Sequence, residues 1–155
     1  MALNEEGNFE KIKDTGRAVF LVIFNESNSK ILLLKRNIQK RNFWKVSWGN
    51  VGGKVDPGEC SKDAILRESL EEVGVKFNGD NLKLLHIKEI PHAKENWHPV
   101  HFFYGISIKE DEEIKVNKES DSHSWFCLNE LPEDMFDSKE FILSLKSKFL
   151  EKDLS

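Results

Sequence analysis

The feature that most constrains this chain is a glycine-rich turn followed directly by a helical stretch crowded with glutamates. The segment GGKVDPGECSKDAILRESLEEVGV, residues 52–75, contains four glutamates and four glycines. Its pattern predicts a helix over 61–73, and Gly74 stands where a glycine commonly ends a helix. Like charges three and four residues apart repel each other on a helix. Either a positive partner offsets this repulsion, or the face is simply solvated.

A helical projection places Glu68, Glu71 and Glu72 on one face of this helix. The expected core side is the opposite face, which carries Leu66, Leu70 and Val73. Three carboxylates on adjacent turns supply hard oxygen ligands, which suit Mg²⁺ or Mn²⁺. Arg67 lies beside the cluster and could hold one carboxylate by a forked hydrogen-bond pair. For such a helix considered alone, a solvated charged face is the alternative.

Short β-branched and aromatic stretches on both sides of this segment predict strands. The predicted strands are 17–24, 31–36, a short strand near 50–53, 82–90, 100–108 and 123–128. The remainder of 37–53 is predicted to be a structured loop, and a last helix begins near Ser138. Strands interrupted by two helices predict an α/β or α+β fold with a mixed sheet.

Composition favours an ordinary globular domain. A chain of 155 residues is consistent with one domain, 1–155, that can bury a core. The net charge of -4 supplies no positive field for a stable nucleic-acid partner. No apolar run predicts a membrane span, and the first residues lack the apolar core of a secretory signal. With only Cys60 and Cys127, far apart in sequence, a reduced cytoplasmic protein is expected.

Taken together, the glutamate-rich segment resembles the Nudix box. The fixed positions of that motif are matched by Gly53, Glu59, Arg67, Glu68, Glu71, Glu72 and Gly74. Ser69 stands where the family usually has an apolar residue, so a packing change is expected there. The turn does not match a phosphate-binding P-loop, because Val55 follows its Gly-Lys pair. The resemblance implies an α/β/α sandwich with a mixed sheet and a catalytic box at 53–75.

The resemblance also implies roles for the box residues. Nudix enzymes hydrolyse a nucleoside diphosphate linked to another group, so a small-molecule nucleotide is the expected partner. The implied metal ligands are Glu68, Glu71, Glu72 and the carbonyl of Gly52. The implied catalytic residues are Glu68, Glu71, Arg67 and Glu119. In some relatives the base comes from a later loop, for which Glu95, Glu119 and Asp121 are alternatives. Glu59 is expected to support the loop before the helix.

Two further stretches, WGNVGGKVDPGE and ESDSHSWFCLNELPEDMFD, are similar to family members that hydrolyse oxidised purine nucleoside triphosphates. The expected substrate contacts are Lys35, Trp48, Asn50, Gly53, Lys54, Phe136 and Asp137. Among these, Phe136 and Asp137 are the implied base contacts. Trp44 and Trp97 lie in predicted loops and are expected to border a pocket.

The leading hypothesis is a Mg²⁺-dependent pyrophosphohydrolase that cleaves a nucleoside triphosphate, such as an oxidised purine of the 8-oxo-dGTP type. The products would be the monophosphate and pyrophosphate. The alternative within the family is a hydrolase of ADP-ribose, another nucleotide sugar or a dinucleoside polyphosphate. A non-catalytic nucleotide-binding regulator is less favoured, because all four glutamates of the box are intact. Many relatives dimerise, so a homodimer is also expected.

Overall fold

The computed structural model describes residues 16–91 and 98–152. Its strands are β1 (Ala18–Phe24), β2 (Lys30–Arg36), β3 (Trp48–Gly49), β4 (Val51–Lys54), β5 (Lys83–Glu89), β6 (Val100–Ser107) and β7 (Ser120–Cys127). Its α-helices are α1 (Ile38–Trp44), α2 (Ser61–Val73) and α3 (Lys139–Leu150). A 3₁₀ turn covers Gly79–Asn81.

The strands form one mixed sheet. The central order is β3-β2-β1-β6-β5, with β4 also pairing with β1 and β7 pairing with β2. Strands β1 and β6 are parallel, and the other pairs are antiparallel. Residues 18–21 of β1 pair with β4, whereas Ile23 and Phe24 pair with β2. Strands β2 and β4 therefore pair with the same edge of β1, and both contribute residues to the site described below.

A helix layer covers each face of the sheet. One core contains Val19, Leu21 and Ile23 of β1 together with buried residues of α2. The other contains Val22 and Phe24 of β1 together with buried residues of α3. This division follows from the alternation of side chains along a strand. The predicted α/β/α sandwich with a mixed sheet is confirmed.

Helix α1 corrects the prediction of a loop over 37–53. The side chain of Asn37 caps its start by accepting from the Lys40 amide, and Lys45 ends it in the left-handed region at φ 62°. None of its residues is buried. A helix without a buried face has no apolar periodicity, so the sequence pattern that reveals other helices is missing here.

The orientation of α2 also differs from the helical projection. Leu70, predicted on the core side, is 51% exposed, whereas Glu68 and Glu72 are 9% and 1% exposed. The physical reason is that protein donors hold both carboxylates: Arg67 of α2 donates to Glu68, whereas Arg36 and the Gly52 amide of the sheet donate to Glu72. Ser69 is fully buried, and its Oγ donates to the Ile65 carbonyl at 2.6 Å. A polar residue therefore fits the core face without an unsatisfied hydroxyl.

One end of each long helix follows a sequence signal. Gly74 ends α2 in the left-handed region at φ 70°, and its amide donates to the Leu70 carbonyl. Ser138 caps α3 by accepting from the Phe141 amide at 3.1 Å. The longest described helix has 13 residues, and no described helix combines the length and apolar character that a membrane span requires.

Candidate active site

Glu72 is the most enclosed carboxylate of the site, and two strands hold it. Arg36, at the end of β2, donates from Nη1 to Glu72 Oε1 at 2.8 Å. The Gly52 amide in β4 donates to Glu72 Oε2 at 2.9 Å. Burial, opposed by Arg36 and the Gly52 amide, raises the pKa of Glu72 to about 7. The carboxylate is thus fixed from two sides.

Arg36 is a site residue that the sequence analysis missed. Its side chain is 10% exposed, and its Nη2 also donates to the Asn50 carbonyl at 2.5 Å. The available signal was an arginine at the end of the apolar strand ILLLKR, where a buried charge needs a partner. Arg36 offsets part of the repulsion among the α2 carboxylates.

Arg67 holds the second carboxylate and ties it to the loop after β4. Its Nη1 donates to Glu68 Oε1 at 2.8 Å and lies 3.5 Å from Glu71 Oε2. Its Nε and Nη2 donate to the two oxygens of Glu59 at 3.1 Å and 2.7 Å, which lowers the pKa of Glu59. Its Nη2 also donates to the Lys54 carbonyl at 3.0 Å. The forked pair predicted for Arg67 therefore forms with Glu59.

Burial has the larger effect on Glu68. Although Arg67 lowers the pKa of this carboxyl, burial outweighs that contact and raises the pKa above its ordinary value. Glu71 lies on the outer side of α2, with its side chain 52% exposed. The three carboxylates thus stand in three environments, which the helical projection alone did not distinguish.

Two glycines of β4 allow close packing around this strand, Gly53 against α2 and Gly52 against β1. A Cβ at Gly53 would lie 2.4 Å from the carboxylate of Glu68. A Cβ at Gly52 would lie 2.5 Å from the Phe20 ring and 2.6 Å from the Val19 carbonyl oxygen. Both positions therefore require the absence of a side chain, one on each face of the strand.

The α2 cluster fits a divalent cation by its chemistry. Carboxylate and carbonyl oxygens are the donors that Mg²⁺ and Mn²⁺ prefer. Within 16–91 and 98–152, no three His, Cys, Asp or Glu side chains converge as a ready metal site. One cause is that Arg36 and Gly52 engage both oxygens of Glu72. The exposed Glu71 is the carboxylate with room to turn toward the others.

A cavity of about 690 Å³ lies along β4, and its volume is in the range of ligand sites. Its floor is aromatic: the Phe20 and Phe103 rings stack at 5.2 Å, and His101 meets Phe20 edge-on at 5.1 Å. The lining residues are Gly16, Arg17, Ala18, Phe20, Arg36, Lys40, Trp44, Gly49, Asn50, Gly52, Gly53, Lys54, Lys88, Ile90, His101, Phe103, Phe136 and Asp137. The α2 glutamates are absent from this described lining, but their partners Arg36, Gly52 and Gly53 belong to it.

Cations outnumber carboxylates in the lining, although Arg36 and Lys40 are ion-paired with Glu72 and Glu119. Its cations are Arg17, Arg36, Lys40, Lys54 and Lys88, and its one described carboxylate is Asp137. An aromatic floor with several cations suits a ligand that combines a flat ring with phosphates. The sequence analysis missed Arg17, Phe20 and Lys88, because no local pattern sets these residues apart from others in or beside a strand.

Five of the predicted substrate contacts lie in this lining, namely Asn50, Gly53, Lys54, Phe136 and Asp137. Lys35 and Trp48 are not among the lining residues, and their roles in substrate binding stay predictions. These two residues are paired across β2 and β3. The Trp48 ring packs edge-on against Phe126 at 4.8 Å as part of a core.

The later-loop base candidates are held by α1. Lys40 Nζ donates to Glu119 Oε1 at 2.7 Å, and this contact lowers the pKa of Glu119. Arg41 Nη1 donates to Asp121 Oδ2 at 2.7 Å. Glu95 lies outside the described residues.

Aromatic residues border the cavity at α1 and before α3. Trp44 lines the cavity and meets Phe136 edge-on at 5.8 Å, with Phe43 packed against its other side at 4.8 Å. The expectation that Trp44 borders a pocket is confirmed, although it ends a helix rather than lying in a loop. Trp97 lies outside the described residues.

Asp137 occupies the polar end of this cavity. The Asn50 Nδ2 donates to Asp137 Oδ2 at 3.4 Å. Burial raises the pKa of Asp137, and the positive charge of Lys88 opposes that effect. A carboxyl group and an ammonium group therefore face the same space.

Comparison with known proteins agrees with this geometry. The profile of the NUDIX domain matches residues 14–145. The chain belongs to the Nudix family. Nudix hydrolases act on phosphoanhydride bonds.

Individual relatives span several named activities. The chain is 27% identical over 75% of its length to a Bacillus subtilis protein named for 8-oxo-dGTP diphosphatase activity, covering 69% of that protein. It is 30% identical over 76% of its length to an ADP-ribose pyrophosphatase of Methanocaldococcus jannaschii, covering 66% of it. A MutT Nudix hydrolase structure from Burkholderia pseudomallei matches 84% of this chain and 95% of that chain at 25% identity and a TM-score of 0.65. The chain thus spans about two thirds of its curated relatives.

Proposed function

We propose that this protein is a divalent-metal-dependent pyrophosphohydrolase that cleaves a nucleoside triphosphate to the monophosphate and pyrophosphate. The observation that carries the proposal is the position of the cavity beside the Nudix box. Strand β4 contacts Glu68 and Glu72 and also lines a cavity with an aromatic floor and five cations. A nucleoside ring suits the aromatic floor, and a triphosphate suits the cations.

In this proposal the α2 residues serve the phosphate end. Glu68, Glu71, Glu72 and the Gly52 carbonyl would hold Mg²⁺, with Mn²⁺ as a substitute, and the ion would neutralise phosphate charge. Lys54 would bind phosphate oxygens from the cavity side, whereas Arg36 is engaged by Glu72 and the Asn50 carbonyl. Arg67 would keep Glu68 in position through its contact at 2.8 Å.

We infer that Glu68 accepts the proton of the attacking water. Arg67 holds Glu68 within the α2 cluster through Oε1. Glu119 is the weaker candidate, because Lys40 and Asn117 donate to its two oxygens. In the wild type, kcat should fall at low pH as the catalytic carboxylate is protonated. Glu68→Gln should remove this fall from the pH profile of kcat, whereas Glu119→Gln should retain it. The opposite result would assign the base to Glu119.

The test is a panel assay with Mg²⁺ that measures pyrophosphate and phosphate release. The panel contains ordinary and oxidised dNTPs, NTPs, ADP-ribose and diadenosine polyphosphates. Pyrophosphate from a triphosphate, lost on adding EDTA and restored by Mg²⁺, is the expected result. Release of two monophosphates from ADP-ribose would instead support the second candidate, which the identity to the M. jannaschii pyrophosphatase favours. Binding without turnover across the panel would support a regulator.

An oxidised purine of the 8-oxo-dGTP type is included in the proposal because a B. subtilis relative is named for that activity. The single-domain organisation over 1–155, the cytoplasmic location and the homodimer also stay proposals. Size-exclusion chromatography with light scattering would test the homodimer directly.

A further inference from the structure

One wall of the cavity is a short segment that extends the sheet beyond β3. Met135 forms a parallel bridge with Trp48. The Trp48 amide donates to the Asp134 carbonyl at 3.1 Å, and the Phe136 amide donates to the Trp48 carbonyl at 3.0 Å. Met135 is buried in a core, whereas Phe136 is 46% exposed and lines the cavity. Because side chains alternate along an extended segment, Asp134 and Phe136 lie on the same face, opposite Met135.

Ser47 holds this segment through side-chain contacts with Asp134. Its amide donates to Asp134 Oδ1 at 3.1 Å, and its Oγ donates to Asp134 Oδ2 at 2.5 Å. One residue therefore engages both oxygens, which fixes the direction of the carboxylate. We call these two contacts the Ser47–Asp134 clamp. Neither residue is among the described lining residues, so the clamp must act on the cavity through its neighbours.

The clamp connects two aromatic borders of the cavity. Ser47 lies between Trp44, the last residue of α1, and strand β3, whereas Asp134 shares a face with Phe136. The Trp44 and Phe136 rings meet edge-on at 5.8 Å. A Cβ at Gly49 would lie 3.1 Å from Phe136 Cδ2, so this ring also packs closely on β3. The position of the Phe136 ring therefore depends on how the segment is held against β3 and the end of α1.

Resting on the proposed function for the nature of the ligand, we propose that Ser47 and Asp134 are positioning residues that set the affinity of the cavity for a nucleotide. Without the clamp, Met135 still anchors the segment in the core, but Phe136 loses its fixed orientation. The ligand must then order this wall when it binds, and that cost weakens binding. The α2 cluster should be unaffected, because Ser47 contacts Arg36 through its main chain: the Ser47 carbonyl accepts from the Arg36 amide at 2.8 Å.

The first test is Ser47→Ala, with kcat and KM measured separately for the triphosphate that the panel assay identifies. KM should rise roughly 5- to 30-fold and kcat should change less than about threefold, because a loss of uniform binding raises KM alone. Ser47→Thr retains the hydroxyl and should keep KM within about threefold of wild type. The midpoint of thermal unfolding should hardly change, because the contact is exposed. A lower midpoint with unchanged KM would overturn the proposal, since the pair would then only stabilise the fold.

The second test is a double-mutant cycle with Asp134→Ala. This substitution removes both contacts and should raise KM at least as much as Ser47→Ala. The double variant should have the KM of Asp134→Ala alone, because both substitutions remove the same Oγ contact. Two effects on KM that multiply in the double variant would show independent sites and overturn the clamp.

Ser27→Ala is the matched control. Its Oγ lies 2.7 Å from Ser29 Oγ in the exposed turn between β1 and β2. The lining residues Ala18 and Arg36 lie at the opposite ends of these two strands. The substitution removes one exposed hydroxyl contact and should leave KM and kcat unchanged. A rise in KM equal to that of Ser47→Ala would overturn the proposal.

Equilibrium binding separates this inference from the proposed function. Titration calorimetry with GTP, ATP and ADP-ribose in EDTA requires no metal and no turnover. Wild type should bind at least one of them, and Ser47→Ala should bind that ligand roughly 5- to 30-fold more weakly. This result would support the clamp even if no triphosphate were hydrolysed. Pyrophosphate release with equal binding by wild type and Ser47→Ala would retain the proposed function and reject the clamp. Failure of wild type to bind any of the three would reject it as well.

Discussion

The two faces of β4 differ in how their residues are brought together. On one face, α2 and the preceding loop supply Glu59, Arg67 and Glu68, which lie within ten residues of one another. On the other face, the cavity takes its lining from strands β1 to β6, α1 and the segments before β1 and α3. Short-range ion pairs hold Glu59, Arg67 and Glu68, whereas Arg36 of β2 reaches Glu72 across 36 residues, and the cavity exists only once the sheet has formed. The Arg67 contacts can therefore be encoded locally, whereas the cavity lining depends on distant positions.

The strongest test of this comparison is to remove charge from the exposed carboxylate. Glu71→Gln should lower turnover roughly 10²- to 10⁴-fold, because a proposed metal ligand is lost. Its free energy of unfolding should change by less than about 0.5 kcal/mol, since the side chain is 52% exposed. Pyrophosphate release and urea unfolding would measure the two effects. Retained turnover would remove Glu71 from the site.

Glu72→Gln supplies the matched comparison. Turnover should fall as for Glu71→Gln, but stability should fall as well, by about 3 kcal/mol, because the buried Arg36 loses its charged partner. Equal stability of the two variants would show that the Arg36–Glu72 pair contributes little to folding.

The second test adds a side chain to β4 on the side that faces α2. Gly53→Ala places a methyl group 2.4 Å from the Glu68 carboxylate, so that side chain must move. A displacement of this size is expected to cost about 10²-fold in turnover and about 1–3 kcal/mol in stability. Gly79→Ala is the control, because its new Cβ would meet only flexible side-chain ends at 3.2 Å and 3.4 Å. Full activity of Gly53→Ala would show that Glu68 has no fixed position.

A third test asks whether Glu59 stabilises the loop before α2 through its pair with Arg67. Folding lowers the pKa of Glu59 below 4.5 through Arg67, so this carboxylate stabilises the native state above that pH. The stabilisation is lost as the pH falls through the folded pKa. Wild type should therefore exceed Glu59→Gln in stability by about 1 kcal/mol at pH 7, and the difference should shrink below pH 4.5.

Urea unfolding across that pH range would measure this difference. Glu113→Gln is the control, since Glu113 and Lys115 form an exposed pair at 3.6 Å and should contribute little at either pH. A constant difference between wild type and Glu59→Gln down to the lowest pH would contradict the assignment.

The smallest effect is expected at Ser69, the residue that departs from the family pattern. Ser69→Ala removes a donor to a helix carbonyl without leaving a buried polar group. Stability should change by less than about 1 kcal/mol and turnover should not change. Thermal unfolding together with the pyrophosphate assay would detect either. A large loss of turnover would show that Ser69 positions the neighbouring Glu68.

The sequence by itself determined the Nudix family, the α2 helix with its terminal Gly74, most strands and the layered fold. These features depend on patterns within one segment: alternation in strands, caps at helix ends and fixed spacing in the box. The contact of Arg67 with its neighbouring carboxylates was also predictable, because all these residues lie in one helix and the preceding loop.

Only the tertiary structure decided which face of α2 is buried, how Arg36 pairs with Glu72, and which side chains line the cavity. Arg36 and Glu72 are 36 residues apart, and Lys88 of β5 lies far in sequence from Asp137, in the segment before α3. A helical projection ranks faces by hydrophobicity, so it could not anticipate that an arginine and two glycines would make burial of Glu68 and Glu72 favourable. Arg36 and Gly52 reach Glu72 together because β2 and β4 both pair with β1 along the same edge. Strand pairing of this kind leaves no local pattern in the sequence.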